Sequence, residues 1–273
     1  RHGTLSSWCQ GERSKGYRLL SSGKNWTTHL SYSVGEGKNS DIDLTHGTYG
    51  VRSTYSPAVF NKKGKQWLHT GFMWGYNKTD SGDNDWGSSS TDASHFISSG
   101  PRLDILKTGE HEDATRYGVE LAFGQNSLDV QYERMWMNVD GCSGDALTGG
   151  SCASTAEKYD FSVWSHYVTV SYFLPFGQGK KYRNYNPNEG KYERIEASNA
   201  TMIAYRYGYQ DYTDAANNKT RGDIFDHTFT FNYFFNPYHS VQVEYYNAEF
   251  NFSDTDNAFD EVEVIQLNWR IDF

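Results

Sequence analysis

The sequence has no apolar run long enough to cross a bilayer as a helix. Such a span needs about 20 consecutive apolar residues, and the longest stretches are of the order of Tyr172-Phe173-Leu174-Pro175-Phe176. Basic charge is also scarce: 25 Lys and Arg face 34 Asp and Glu, for a net charge of -9, which excludes a general nucleic-acid binder and predicts no nucleic-acid partner. The nine histidines show no paired spacing of the kind a metal-binding helix gives, and no serine sits in a nucleophile elbow. No catalytic group can be assembled, so the chain reads as a non-enzyme without a cofactor or metal. A starting Met and a signal-peptide pattern are both missing, and the chain reads as a mature protein or a fragment of one.

Only three cysteines occur. Cys142 and Cys152 stand with nine residues between them in Gly- and Ser-rich sequence, which suits a small loop disulfide made in an oxidising compartment such as the periplasm. Two free thiols are the competing reading, and Cys9 is left over.

What is abundant is aromatic: 21 Tyr, 16 Phe and 8 Trp, with 26 Gly, in a chain whose mean hydropathy is only -0.77. That combination fits a transmembrane β-barrel. A barrel strand needs about 9–11 residues with every second one apolar, so the chain stays polar on average. The last nine residues, from Ile265 to Phe273, have large apolar side chains at every odd position and polar ones at every even position. This period of two predicts a strand. It predicts that Phe231, Tyr233, Ile265, Leu267 and Trp269 face lipid and that Thr230, Asn232, Gln266 and Arg270 face a lumen.

The same alternation returns at Val241/Val243/Tyr245, Phe229/Phe231/Tyr233/Phe235, Ile203/Tyr205/Tyr207/Tyr209, Val168/Val170/Tyr172/Leu174, Leu128/Val130/Tyr132, Tyr117/Val119/Leu121/Phe123, Leu68/Phe72/Trp74/Tyr76 and Tyr49/Val51/Tyr55. A weaker strand covers Trp26 to Val34, and a remnant lies around Tyr17 to Leu20. The count is about ten strands. Connections alternate in length: 124–127 and 236–239 are short, while 140–158, 213–222 and 78–113 are long. The exception is 175–198, long on the side of the short turns. Aromatics gather at strand ends, with Tyr55, Trp67, Phe123, Phe173, Phe235 and Phe273 at one end and Trp74, Trp136, Trp164, Tyr212 and Phe252 at the other. This pattern reads as two interfacial girdles.

Several segments in order resemble the bacterial phosphate-selective porin O/P family: Thr54-Tyr55-Ser56-Pro57, Leu68-His69-Thr70-Gly71, Asp113 to Glu120, Ser127 to Glu133, Val170 to Leu174, Phe231 to Pro237, and the closing strand. The resemblance covers residues 46–273. It implies an all-β fold, a transmembrane antiparallel barrel that has 16 strands in the family. By that resemblance residues 1–273 form a single barrel domain lacking its N-terminal strands. The bacterial outer membrane is the implied location, with outer-membrane lipid and lipopolysaccharide around a homotrimer, and small solutes as cargo.

The family's anion preference directs attention to lumenal cations. Arg52, Arg116, Arg206 and Arg270 fall opposite the lipid-facing aromatics, and guanidinium groups suit phosphate or carboxylate. Glu120, Asp129, Glu133, Glu244 and Asp272 share that parity, so each arginine reads more readily as half of a lumenal ion-pair network that braces the wall than as a ligand site. The connection 175–198 carries Lys180, Lys181, Arg183, Lys191 and Arg194 against Glu189, Glu193 and Glu196, and the outer stretch 94–108 adds Arg102 and Lys107. These cations either narrow and charge a pore or merely solvate loops. The function expected is a water-filled channel for passive diffusion of small, anionic solutes. The alternative is a structural or receptor barrel whose surface loops bind an envelope or external partner.

Overall fold

The computed structural model describes residues 15–34, 47–57, 66–78, 90–91, 103–104, 111–142, 147–148, 151–152, 158–214, 219–252 and 261–272. Eleven of its strands form one antiparallel sheet: β1 (Lys15–Gly23), β2 (Trp26–Val34), β3 (Gly47–Tyr55), β4 (Gln66–Lys78), β5 (His111–Gln125), β6 (Leu128–Cys142), β7 (Lys158–Phe173), β8 (Ala200–Asp214), β9 (Lys219–Asn236), β10 (His239–Phe252) and β11 (Glu261–Ile271). Their order in the sheet is their order in the chain. Each strand therefore bonds its sequence neighbour, as in an up-and-down barrel wall. Among the described residues β1 pairs only with β2 and β11 only with β10.

Period-two patterning is what makes these strands. On β11 the odd side chains are exposed, with Ile265 at 77% and Leu267 at 70%, while Val262, Val264, Gln266 and Asn268 are partly covered. The register carries this parity across the sheet: Leu267 lies opposite Val243, Val243 opposite Phe231 and Phe231 opposite Ile203. One face of the sheet is thus a continuous field of exposed Phe, Tyr, Val, Leu and Ile. In water such a patch would be far larger than soluble proteins tolerate; against lipid tails it is the stable arrangement. The expected remnant at Tyr17–Leu20 is a full nine-residue strand, and the expected strands are longer than the alternation alone marked, as in the 18 residues of β9.

Two-residue turns at Lys24-Asn25, Asn126-Ser127 and Pro237-Tyr238 share one end of the sheet, here called the inner end. Asn126 takes a positive φ of 54°, a conformation asparagine tolerates better than most residues. The Asn236 side chain accepts a 2.8 Å bond from the Tyr238 amide, closing the last turn. Residues 174–199 also join strands at this end.

The girdles need correction at two positions. Trp67 and Phe173 were expected at the lipid interface, yet they are 1% and 2% exposed. Each stands one place off its strand's outward set, beside Leu68 and Tyr172, so each points to the inner face and lies under the 174–199 segment. Tyr55, Phe235 and Trp74 are exposed as expected. Trp136 stacks on Tyr117, 5.1 Å between centroids, on the outward face. The side chains of Tyr212, Phe252 and Phe273 lie outside the described residues.

Candidate functional site

The inner face of the sheet carries the polar side chains, and residues 174–199 fold across it. The segment leaves β7 at Phe173 and returns to β8 at Ala200. Two small ladders shape it: Gln178-Gly179 pairs with Ala197-Ser198, and Tyr185-Asn186 pairs with Lys191-Tyr192. The second is a hairpin with Pro187-Asn188-Glu189-Gly190 at its tip. Ala197 packs into a buried cluster with Phe173, Ala200 and Met202, which fixes the base.

The hairpin docks on an aromatic floor. Tyr185 stacks on Trp67 at 5.3 Å, and Tyr192 meets Trp67 edge-on at 5.3 Å. The Trp67 indole donates a 3.0 Å bond to the carbonyl of Arg183. Aromatic pairs of this kind contribute about 0.5–1.5 kcal/mol each beyond their burial. Burial pushes the Tyr185 phenol up to about 12, and pushes the Tyr192 phenol up as well. Both rings therefore stay neutral at any physiological pH.

Beneath Tyr185 lies a charged chain. The Tyr185 hydroxyl is hydrogen-bonded to Nδ1 of His69, whose Nε2 is 2.9 Å from Glu120. Glu120 also accepts a forked pair from Arg52, at 2.7 and 2.6 Å. Glycine at position 71, opposite Glu120 in the register, makes room for this carboxylate: a Cβ there would stand 2.9 Å from its Oε2. Arg52 then reaches the carbonyl of Gly190 at 3.5 Å. Gly190 has a φ of 61° and sits over the hydrogen-bonded hydroxyls of Thr27 and Thr54, so the tip requires a residue without a side chain. The Asn188 amide, oriented to satisfy its neighbours, donates to the carbonyls of Gly23 and Lys24. The segment thus spans the inner face from β7 and β8 to the β1–β2 turn.

Beside the hairpin a cavity of about 540 Å³ remains. Its charged lining comprises Arg52, Arg183, Lys191 and Arg206 on one side of the ledger and Glu120, Glu133, Asp226 and Glu244 on the other. Among the cations, Arg52 is engaged by Glu120, Arg183 stands 3.5 Å from Asp129 and 4.7 Å over Tyr192, Lys191 is ion-paired with Glu189, and Arg206 lies 4.5 Å over Tyr167. Gln131, Thr169, Thr228, Asn232 and Gln242 supply neutral donors and acceptors.

The sequence-derived cations therefore separate. Arg52, Arg206, Arg183 and Lys191 come together around the cavity. Arg116 lies on β5 level with Met137, nearer the outer end and away from the cavity lining. Arg270 is turned to Asp272, bonded at 3.0 and 2.9 Å, and Arg194 sits 3.6 Å from the same carboxylate and 4.5 Å over Tyr238. Those guanidinium hydrogen bonds hold the Asp272 carboxyl below its ordinary value. Lys180 is paired at 2.6 Å with exposed Glu196, which raises its ammonium, and Lys181 donates to the carbonyl of Pro175; neither lines the cavity. Arg102 and Lys107 lie outside the described residues.

Cys142 ends β6, and Cys152 belongs to a short ladder in which it pairs with Leu147; their side chains lie outside the described residues. His69, Tyr185 and Tyr192 were missed in sequence. The parity of His69 with Gly71 on the polar face of β4 and the Asn-Pro-Asn-Glu-Gly run between the two tyrosines were the available signals. Among the described residues no group of His, Cys, Asp and Glu has the geometry of a metal site, and no helix is long and apolar enough to cross a membrane.

No curated protein matches the sequence. Among solved structures, the outer-membrane expressed OmpT of Vibrio cholerae is similar over 92% of this chain at 10% identity, with a TM-score of 0.46. This chain spans 61% of that protein's length. The CymD monoaromatic hydrocarbon channel aligns with 95% of this chain and 82% of its own, at 11% identity and a TM-score of 0.25. The family model for phosphate-selective porin O and P matches residues 10–273. That match covers every strand of the sheet, and the chain belongs to the phosphate-selective porin O and P family of the bacterial outer membrane.

Proposed function

We propose that this protein is a passive, water-filled channel for small polar solutes, not an enzyme, and that residues 174–199 form its constriction. The observation that carries this reading is the docking of the 185–192 hairpin on Trp67, His69 and Arg52 of the inner face, beside a polar cavity of about 540 Å³. A barrel wall with an apolar outside and a polar inside needs no other filling; a chain segment anchored across it narrows the path.

Ionic preference follows from local charge, because a narrow polar throat focuses the field of nearby groups. The described lining pairs its cations with carboxylates, so it supports weak selectivity over strong anion preference. Arg183 and Lys191 are the positions through which any preference for phosphate-like solutes acts. Further strands pairing with β1 and β11 would complete the barrel, since unpaired backbone groups in lipid cost several kcal/mol each. The family resemblance supports a homotrimer surrounded by lipopolysaccharide. A Cys142–Cys152 disulfide, next to the outer end of β6, remains part of this proposal and braces an outer loop without holding the wall together.

Conductance in planar bilayers tests the reading. Replacing residues 178–198 by a short Gly-Ser turn is expected to raise single-channel conductance, while Arg183→Ala and Lys191→Ala shift the reversal potential in a KCl gradient toward cations. Unchanged conductance in the shortened protein rules the segment out as the constriction. Absence of any conductance from the folded wild type favours the receptor reading.

A further inference from the structure

The outward face of the sheet holds one cation that its surroundings do not explain. On the spanning strands Arg134 is the one Arg or Lys among the described side chains whose parity places it with the lipid-facing set; its neighbours on β6 in that set are Leu128, Val130, Tyr132 and Trp136. Below it, toward the inner end, that row of β6 is entirely apolar or aromatic. Above it come Trp136 and then Asn138. A guanidinium on the lipid face is costly near the bilayer midplane and less so near the interface, so its side chain is expected to reach for the nearer headgroups.

Its contacts show that reach. The guanidinium lies 4.8 Å over Trp136, two residues nearer the outer end, and 4.5 Å over Trp164, which is opposite Trp136 in the register. His166 stacks on Trp164 at 5.7 Å, and Tyr209 lies 5.1 Å from Trp164 on the next strand. Two indoles hold the cation from the sides, but rings supply no hydrogen-bond acceptor of the strength a guanidinium takes. Its Nε is buried with no hydrogen-bond partner, and among the described residues no carboxylate is within ion-pair distance of it. In the cavity Arg52 has Glu120 and Arg183 has Asp129 close by; Arg134 has two indoles and an Nε without a hydrogen-bond partner.

We infer that Arg134, clamped between Trp136 and Trp164 at the level of the outer aromatic girdle, binds the phosphate group of a phosphorylated lipid in the outer leaflet. Charge complementarity selects the anion, and the forked donors suit phosphate oxygens. The indole faces and Tyr209 pack the adjoining acyl and sugar parts, as amphipathic rings do at this depth. The site is on the outside of the wall, so it is independent of what the pore carries.

The test uses the full-length protein in detergent micelles doped with lipid A, either bis-phosphorylated or enzymatically dephosphorylated, with bound lipid counted by native mass spectrometry. Wild type is expected to retain the phosphorylated form roughly tenfold more strongly than the dephosphorylated form, a gap of about 1.4 kcal/mol. Arg134→Gln is expected to abolish that gap, and Arg134→Lys to keep part of it. A second measurement guards against misfolding: in micelles of an uncharged, phosphate-free alkyl-glycoside detergent Arg134→Gln is expected to be at least as stable as wild type, because it removes a charge that nothing there compensates. Equal retention of both lipids by wild type overturns the inference. So does a loss of oligomer in Arg134→Gln with unchanged lipid retention, which would assign the residue to a contact with a second copy of the chain.

Discussion

Strands β9 to β11 and residues 174–199 differ in what satisfies their backbones. From Gly222 to Ile271 nearly every residue of the strands faces a bonded neighbour across an antiparallel ladder, and lipid contact makes any opening of that ladder expensive. The 174–199 segment has two ladders of two residue pairs each. Side chains of the wall do the rest: Trp67, His69, Arg52 and Asp129 hold it at four points. One region is fixed by repetition and the other by a few individual contacts, so mutations in the two should behave differently.

Trp67→Ala should have the largest effect. Removing the floor under Tyr185 and Tyr192 should cost about 3–5 kcal/mol, and hydrogen exchange should show the amides of 183–192 losing protection while those of β9 to β11 keep theirs. Equal loss in both regions would merge the two into one cooperative unit. Leu267→Arg is the converse. It should cost about 2–4 kcal/mol of folding stability in vesicles, measured by denaturant titration, with the hairpin's protection falling only as the whole barrel unfolds.

Gly190→Ala acts at one point. An alanine at φ 61° should cost about 1–2 kcal/mol, and its Cβ would stand 2.6 and 2.7 Å from the hydroxyls of Thr54 and Thr27. The tip should lift from the β1–β3 wall while the aromatic floor holds. Cysteine accessibility at position 188 should rise and at 185 stay low.

Tyr185 gives the smallest signal and a distinct one. Its phenol ionises near 10 when exposed and at about 12 when docked, so docking favours the neutral form. The contribution is fully present below pH 10 and is lost as pH rises from about 10 to about 12. The difference between the phenolate absorbance titrations of wild type and Tyr185→Phe should show one transition near 12. A midpoint near 10 in that difference would mean the ring is not held on Trp67 and His69.

Strand parity made most of the wall legible, because burial on one face and lipid on the other impose a period of two that no local accident disturbs. Ile265, Leu267, Phe231 and their inward neighbours followed from it directly. Trp67 and Phe173 did not, since an aromatic at a strand end was read by its position along the strand when the side chain's direction decided its place. The hairpin anchors were harder still. His69 and Glu120 are 51 positions apart, and Tyr185 lies 116 positions from His69; only the closed register brings them together. The separation of the cations was likewise beyond reach, because Lys180 and Arg183 differ by a few residues yet lie on different sides of the segment.

The hydrogen bond from Arg52 to Gly190 joins residues 138 positions apart, and this separation sets an order of events. The hairpin has no place to dock until β3 and β4 are paired, and contacts over such separations are slow to form because loop-closure entropy comes first. A wall that pairs before the hairpin docks stands open first and narrows when it docks. A molecule with one strand out of register would keep a wide lumen. Conductance then becomes a gauge of assembly.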